Sequence, residues 1–376
     1  MASDSARDMT NSYNQDLSNG LENVPVRIDC SGVGKAEFPN FQYTPENVPG
    51  PGCSSDPTEI TLPGCQCHTH SCQSEKCQCL QRYGPAYSDQ QRLQGRRDAE
   101  SGYSRPVFEC NALCDCSEDC SNRVVQRGVV FRLRVFLSVD RGWGVRTMDA
   151  IPRGAFVCEY AGEVIGLEEA RSRQLAQGPE DMNYIIAVRE HAGQGNARET
   201  FVDPFSRGNV GRFINHSCQP NLFMVPVRVH SMVPRLALFA VRDIVPDEEL
   251  TFDYSGRYNN QASETANSDQ NHLSEQSNQG ESVSSLQRKP CYCGAVNCTR
   301  WNGLCLFENR MIKIVSANAS ANLLFDLPAI GSSPQLFSVS SCSTRECWDC
   351  HGGRMLFLSY DSCDLYALSQ VSMATE

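Results

Sequence analysis

The chain has 376 residues, 40% of them hydrophobic, with 21 cysteines and a formal net charge of −11. That length leaves room for two or three domains and at least one sizeable core. No apolar run of about 18 residues and no secretory leader is read in it, and the acidic balance opposes a basic surface for phosphates, so neither membrane association nor direct nucleic-acid binding is expected.

Cysteines in a chain read without a leader belong in a reducing compartment, where metal thiolates prevail over disulfides. An acidic surface attracts cationic peptides.

Residues 1–58 are polar and rich in Pro, Gly, Ser and Asn, with Phe38, Phe41 and Tyr43 near the end, and predict a flexible N-terminal arm. Residues 59–125 hold Cys65, Cys67, Cys72, Cys77, Cys79, Cys110, Cys114, Cys116 and Cys120 with little apolar periodicity, so metal must hold this segment together. Tetrahedral zinc takes four thiolates; three zincs therefore need twelve metal–sulfur bonds, which nine thiolates supply if three of them bridge. Two separate four-cysteine sites are the alternative and leave one cysteine idle. The three-zinc arrangement carries excess negative charge, which backbone N–H groups and arginines should offset. His68 and His70 are surplus to the ligand count and should be exposed.

From residue 126 to 255 the pattern turns to short strands: Val130 to Leu137, Phe156 to Ile165, Tyr184 to Val188, Leu222 to Val229, Leu236 to Val241 and Leu250 to Tyr254. One short helix, Leu167 to Gln177, lies among them, without the regular strand and helix alternation of a dinucleotide-binding fold. Residues 256–289, dominated by Ser, Asn, Gln and Glu, read as a disordered linker. A second cysteine group, Cys291, Cys293 and Cys298, follows within 290–306, and 307–376 is a tail with no pattern that assigns it a role.

Four motifs occur in order: Arg141-Gly142-Trp143-Gly144, Glu159-Tyr160-Ala161-Gly162-Glu163, Arg212-Phe213-Ile214-Asn215-His216-Ser217-Cys218-Gln219-Pro220-Asn221, and Glu249-Leu250-Thr251-Phe252-Asp253-Tyr254. Each alone reads as a turn, a core strand or a capped loop. Their order, after nine cysteines and before three, resembles the pre-SET, SET and post-SET domains of histone-lysine methyltransferases of the suppressor-of-variegation class, over roughly residues 60 to 301. The segments FQYTPENVPGPG, FECNALCDCSEDCSNRVVQ and GRFINHSCQPNL resemble most closely a branch that some lineages fuse to a mariner transposase. No transposase is expected in the stretch after Trp301.

The resemblance implies a mostly β SET fold of small sheets (a β-clip) with some α structure and a pseudoknot near Asn215 to Cys218, plus pre-SET and post-SET zinc modules. It implies S-adenosylmethionine as cofactor, with Arg141, Gly142, Trp143 and Gly144 lining its methionine end, Tyr184 and Arg212 flanking it, and Asn215 and His216 holding its adenine edge. By the same resemblance Cys65, Cys77 and Cys110 bridge three zincs, and Cys218 joins Cys291, Cys293 and Cys298 on a fourth. The substrate is then the histone H3 tail or nucleosome, at lysine 9 by class and at lysine 36 or lysine 4 by the closer likeness, in the nucleus on chromosomes.

Methyl transfer needs a neutral lysine amine, whose free pKa is about 10.4. A dry aromatic channel beside a sulfonium lowers it, and alignment supplies much of the rest. Tyr254 is the candidate for orienting the amine, Tyr160 for the channel wall, and Phe252 for setting how many methyl groups fit. The alternative function is a zinc-rich chromatin-binding module that has kept the fold and lost the chemistry.

Overall fold

The computed structural model describes residues 15–29, 38–73, 75–95, 106–138, 141–178, 181–191, 197–254, 290–296, 298 and 312–314. The predicted linker 256–289 lies outside the described residues, as does the tail 307–376 apart from 312–314.

The first strands are β1 (Arg27–Asp29), β2 (Gln42–Tyr43) and β3 (Val48–Pro49). A six-residue helix α1 (Gln78–Tyr83) and strand β4 (Val107–Phe108) interrupt the cysteine-rich segment. Then come β5 (Leu133–Ser138), β6 (Gly142–Thr147), β7 (Phe156–Glu159), β8 (Gly162–Ile165) and helix α2 (Leu167–Leu175). They are followed by β9 (Ile186–His191), β10 (Ala197–Gly208), β11 (Asn215–His216), β12 (Leu222–Arg228), β13 (Arg235–Ala240), β14 (Glu249–Phe252) and β15 (Ile312–Ile314).

The strands form two sheets. One runs β1-β5-β6-β14-β12-β13-β7, with β11 on β14 and β4 on β12; the other runs β15-β9-β10-β8-β3, with β2 on β10. In β5 the buried Leu133 and Val135 alternate with half-buried Arg134 and Phe136, the two-residue period of a strand with one wet face. In β13 every residue is buried, because β12 and β7 flank it and both of its faces are covered. The main core joins Val135, Val145, Val157, Val202, Ile214, Leu222, Leu238 and Phe252 across both sheets.

The sequence expectation of a flexible arm over 1–58 is corrected for the residues described. β1 pairs with β5, β2 with β10 and β3 with β8, all in parallel, and Val26 and Tyr43 are buried. Strands of two or three residues carry no periodicity that a local reading can detect; their backbone groups are satisfied by partners about a hundred residues away. The longest strand, β10, also escaped the sequence reading, since Arg198, Glu199, Asp203 and Pro204 break its alternation. The Gly-Trp-Gly motif lies within strand β6, pairing with β5, where a turn was the local reading.

The threading expected near Asn215 takes concrete form in β14. Its first two residues pair with β6, at Glu249 with Arg146 and Leu250 with Val145; its last two pair with β11, at Thr251 with Asn215 and Phe252 with His216. This crossing sets the strands that carry the chain's first, third and fourth motifs side by side.

Candidate active site and metal cages

The nine pre-SET cysteines form one cluster, eight of them buried and Cys67 half-buried. Three overlapping sets have all four sulfurs within 4.8 Å of one another: Cys65, Cys67, Cys72 and Cys77; Cys65, Cys77, Cys79 and Cys110; and Cys65, Cys72, Cys110 and Cys116. Cys65, Cys77 and Cys110 each belong to more than one set, and so does Cys72. The sulfur pairs Cys65–Cys72, Cys72–Cys110 and Cys79–Cys114 are each 3.8 Å apart. A tetrahedron with zinc–sulfur bonds of about 2.3 Å has edges of about that length, so the donor set fits zinc.

Donors surround the sulfurs, as the surplus of negative charge demands. The N–H groups of Cys65 and Asn111 donate to Cys114 Sγ at 3.2 Å, and that of Cys72 to Cys120 Sγ at 3.4 Å. Arg123, 6% exposed, reaches Cys116 Sγ and the carbonyls of Cys110, Cys114 and Cys116. The Cys114 thiol is held well below its usual range by hydrogen bonds from Cys110 and Cys79 together with those N–H groups. His68 and His70 are exposed, 3.9 and 3.8 Å from Asp115 and Asp119.

A second cage brings Cys218 together with Cys291, Cys293 and Cys298, all four sulfurs again within 4.8 Å. Cys218 and Cys291 are 4.0 Å apart, and Cys298 is turned back by its N–H to the Ala295 carbonyl. Burial opposes ionisation of Cys293, but N–H groups of Cys218 and Ala295 overcome it and bring the thiol down to about 6.

The predicted site residues fall into contacting groups: Arg141, Trp143 and Asn215 around Glu249, and Arg212 with Tyr184. Glu249 ties the first group, pairing with Arg141 and accepting from Asn215 Nδ2 at 3.1 Å; the same amide reaches the Trp143 carbonyl at 3.4 Å. A Cβ on Gly144 would stand 3.1 Å from both Asn215 Nδ2 and Glu249 Oε1, so a larger residue would push these side chains aside, while Gly142 takes a positive φ of 68° that favours glycine.

Arg212 is 5% exposed, and its guanidinium stacks over the rings of Phe41 at 4.2 Å, Tyr184 at 4.8 Å and Phe213 at 5.1 Å. Its Nη2 donates to the Phe205 carbonyl, whereas Nε and Nη1 are buried without a partner, and no carboxylate pairs with it among the described residues. A buried cation left with two unused N–H groups is costly unless an anionic group arrives to accept them. The carboxylate of S-adenosylmethionine is such a group, and these residues fit that cofactor.

The three candidate catalytic residues pack against one another. Phe252, 1% exposed, lies 5.9 Å from Tyr160 and 4.7 Å from Tyr254 between ring centroids. Tyr254 Oη donates to the Ile214 carbonyl at 2.7 Å and Tyr160 Oη to the Tyr184 carbonyl at 2.6 Å. Burial holds both phenols above their usual range, so both keep their protons and neither is a base.

Sequence reasoning gave no role to Glu249, Phe38 or Phe41. Glu249 stood in a quoted motif, and Phe41 stood in the segment read as arm; only their partners across the fold reveal them.

The SET domain family matches residues 142–255 and the Pre-SET motif family residues 18–123. The histone-lysine N-methyltransferase SETMAR of Rattus norvegicus is 52% identical over 287 residues, covering 76% of this chain and 85% of the relative. The H3 lysine-9 specific histone-lysine N-methyltransferase of Schizosaccharomyces pombe is 36% identical over 266 residues, 70% of this chain and 48% of that one. Among solved structures, the methyltransferase domain of human SETMAR superposes with a TM-score of 0.62 at 49% identity, over 76% of this chain and 97% of that one. KRYPTONITE in complex with mCHH DNA, an H3(1-15) peptide and SAH superposes with 0.55 at 31% identity, over 77% and 53%. Matched in both domains and over most of its length, the chain belongs to the histone-lysine N-methyltransferase family built from a pre-SET motif and a SET domain.

Proposed function

We propose that the pocket transfers a methyl group from S-adenosylmethionine to the ε-amine of lysine 9 of histone H3, in chromatin in the nucleus. The observation that carries this reading is the buried Arg212 guanidinium, with two unpartnered nitrogens, stacked on Tyr184, whose carbonyl accepts from the protonated Tyr160 hydroxyl. The lysine-9 relative in Schizosaccharomyces pombe and the H3(1-15) peptide bound by KRYPTONITE support the choice of substrate.

When bound, the cofactor supplies a methyl group activated on a sulfonium. Arg212 receives its carboxylate, and the backbone of Gly142 to Gly144 lines the same end. The Asn215 and His216 side chains are engaged within the protein, so these residues contribute the backbone edge turned away from β14. Tyr254 directs its proton to the Ile214 carbonyl, which leaves its oxygen lone pairs to accept an N–H of the incoming amine and turn the nitrogen lone pair toward the methyl. Tyr160 walls the channel, and Phe252 leaves space near the amine free of a hydroxyl. Desolvation by these rings lowers the amine pKa from about 10.4, and alignment provides the remaining acceleration.

The thirteen clustered cysteines hold four zincs in this reading, three on the pre-SET segment 59–125 and one joining Cys218 of the SET segment 126–255 to the post-SET segment 290–306. None takes part in the chemistry. Mass spectrometry of nucleosomes after incubation with the chain and cofactor tests the proposal: methyl on lysine 9 supports it, methyl only on lysine 4 or lysine 36 of H3 replaces the site, and no transfer from a chain that binds cofactor returns the zinc-rich binding module.

A further inference from the structure

Ahead of the cysteine-rich segment, the strap of residues 38–49 closes over one side of the pocket. Phe38 meets Trp143 edge-on at 4.9 Å and Phe213 at 5.4 Å, and Phe41 meets Phe213 at 5.7 Å. β2 fastens this strap by pairing with Arg207 and Gly208, and the Thr44 N–H adds a bond to the Gly208 carbonyl at 2.8 Å. The strap is therefore tied to backbone that leads directly into Arg212.

The Arg212 guanidinium is held by three rings and one hydrogen bond. The single hydrogen bond of its guanidinium among the described residues is the 3.3 Å contact to Phe205 O. A guanidinium on a flexible stem loses considerable rotamer freedom when it is fixed, and a flat aromatic face can hold its plane while leaving the edge N–H groups free. Phe41 presents the nearest ring, with the guanidinium carbon 4.2 Å from its centroid.

We infer that the N-terminal strap is a working part of the cofactor pocket and that Phe41 is a positioning residue, fixing the Arg212 fork so that Nε and Nη1 face the cofactor's carboxylate. The inference rests on the cofactor reading above. Without the nearest of its three rings, more of the ordering of Arg212 must accompany each binding event, and cofactor affinity falls while Tyr160, Phe252 and Tyr254 are untouched.

The test is calorimetric titration of the full chain with S-adenosylhomocysteine, alongside zinc content, thermal melting and separate KM values for cofactor and histone H3 peptide. Phe41→Leu should weaken binding about tenfold, the scale of a desolvated cation–π contact, and raise the cofactor KM with peptide KM and zinc unchanged. Phe41→Tyr, which keeps the face, should bind as the wild type does. Fluorinated phenylalanines placed at position 41 keep the shape of the ring and drain its face of electrons; affinity should fall stepwise with each fluorine, a readout that survives even if Phe41→Leu folds poorly. Wild-type protein that fails to bind the probe overturns the cofactor reading itself. Wild-type protein that binds, with affinity indifferent to ring fluorination and to Phe41→Leu, overturns this inference alone.

Discussion

The backbone N–H of Tyr254 donates to His216 Nδ1 at 3.2 Å, while the other ring nitrogen of His216 lies 3.4 Å from Cys218 Sγ. Accepting at Nδ1 assigns the remaining proton to Nε2, which then points at the sulfur. Burial favours this neutral imidazole over the charged one, against the pull of Asp253. One side chain thus braces the tyrosine of the transfer pocket against a cysteine of the second metal cage.

His216→Ala should therefore have two separable effects. Transfer should fall steeply, and zinc held through Cys218 should pass to a colorimetric chelator about 10–100-fold more readily, the usual cost of losing a ligand's supporting hydrogen bond. The pre-SET zincs should be retained. Chelator release and turnover, measured on the same sample, check both; unaltered values in the two assays would remove His216 from this role.

The metal count is the second prediction. Elemental analysis of active protein should give four zincs per chain, and two or fewer would rule out the nine-cysteine, three-zinc arrangement. Cys116→Ser removes a buried sulfur that Arg123 supports, and should lower folded yield far more than Cys53→Ser, whose half-buried thiol donates to the neighbouring Ser55 carbonyl. Strong chelation should unfold the pre-SET segment, because metal supplies the cohesion that its sparse apolar content lacks.

Product state tests the aromatic channel. Phe252→Tyr places a hydroxyl near Tyr160 and Tyr254, where it can hold a water in the volume that a second or third methyl group needs. End products on an H3 peptide should shift from di- and trimethyl toward monomethyl-lysine with the first transfer little changed. Tyr254→Phe leaves the amine unaligned and should slow every step by about 100-fold. An unaltered product distribution in Phe252→Tyr would take this residue out of the mechanism.

Stability should depend on pH through Glu159. Burial raises its carboxyl to about 7, against the Arg235 guanidinium 3.5 Å away, and its Oε1 has no partner. The folded chain therefore keeps a proton that the unfolded chain releases above the ordinary glutamate value of 4.5. Its contribution is fully present below that value, is lost as pH rises toward 7, and changes little beyond. Denaturant titrations across this window should show stability falling by at most about 3 kcal/mol from this group, and Glu159→Gln should flatten the slope. A slope that persists in the variant would assign the titration to another group.

Sequence alone determined the chemistry-bearing parts of this protein, because each is written in contiguous letters. The spacing of Cys65 through Cys120 marked a metal-binding segment, and their sulfurs come within metal-binding distance of one another. The order of the motifs around Trp143, Tyr160, Asn215 and Tyr254 marked candidate site residues, of which Trp143 and Asn215 meet beside Glu249 and Tyr160 and Tyr254 meet at Phe252. What only the tertiary structure decided is how they are held. Phe41, in a segment read as a flexible arm, reaches Arg212 because β2 pairs with β10; Glu249 joins Arg141 to Asn215 because β14 passes from β6 to β11. Strands this short have no periodicity of their own, and their register is set by backbone partners and side-chain packing far away in sequence, so neither the strap nor the brace through His216 is legible until the sheets close.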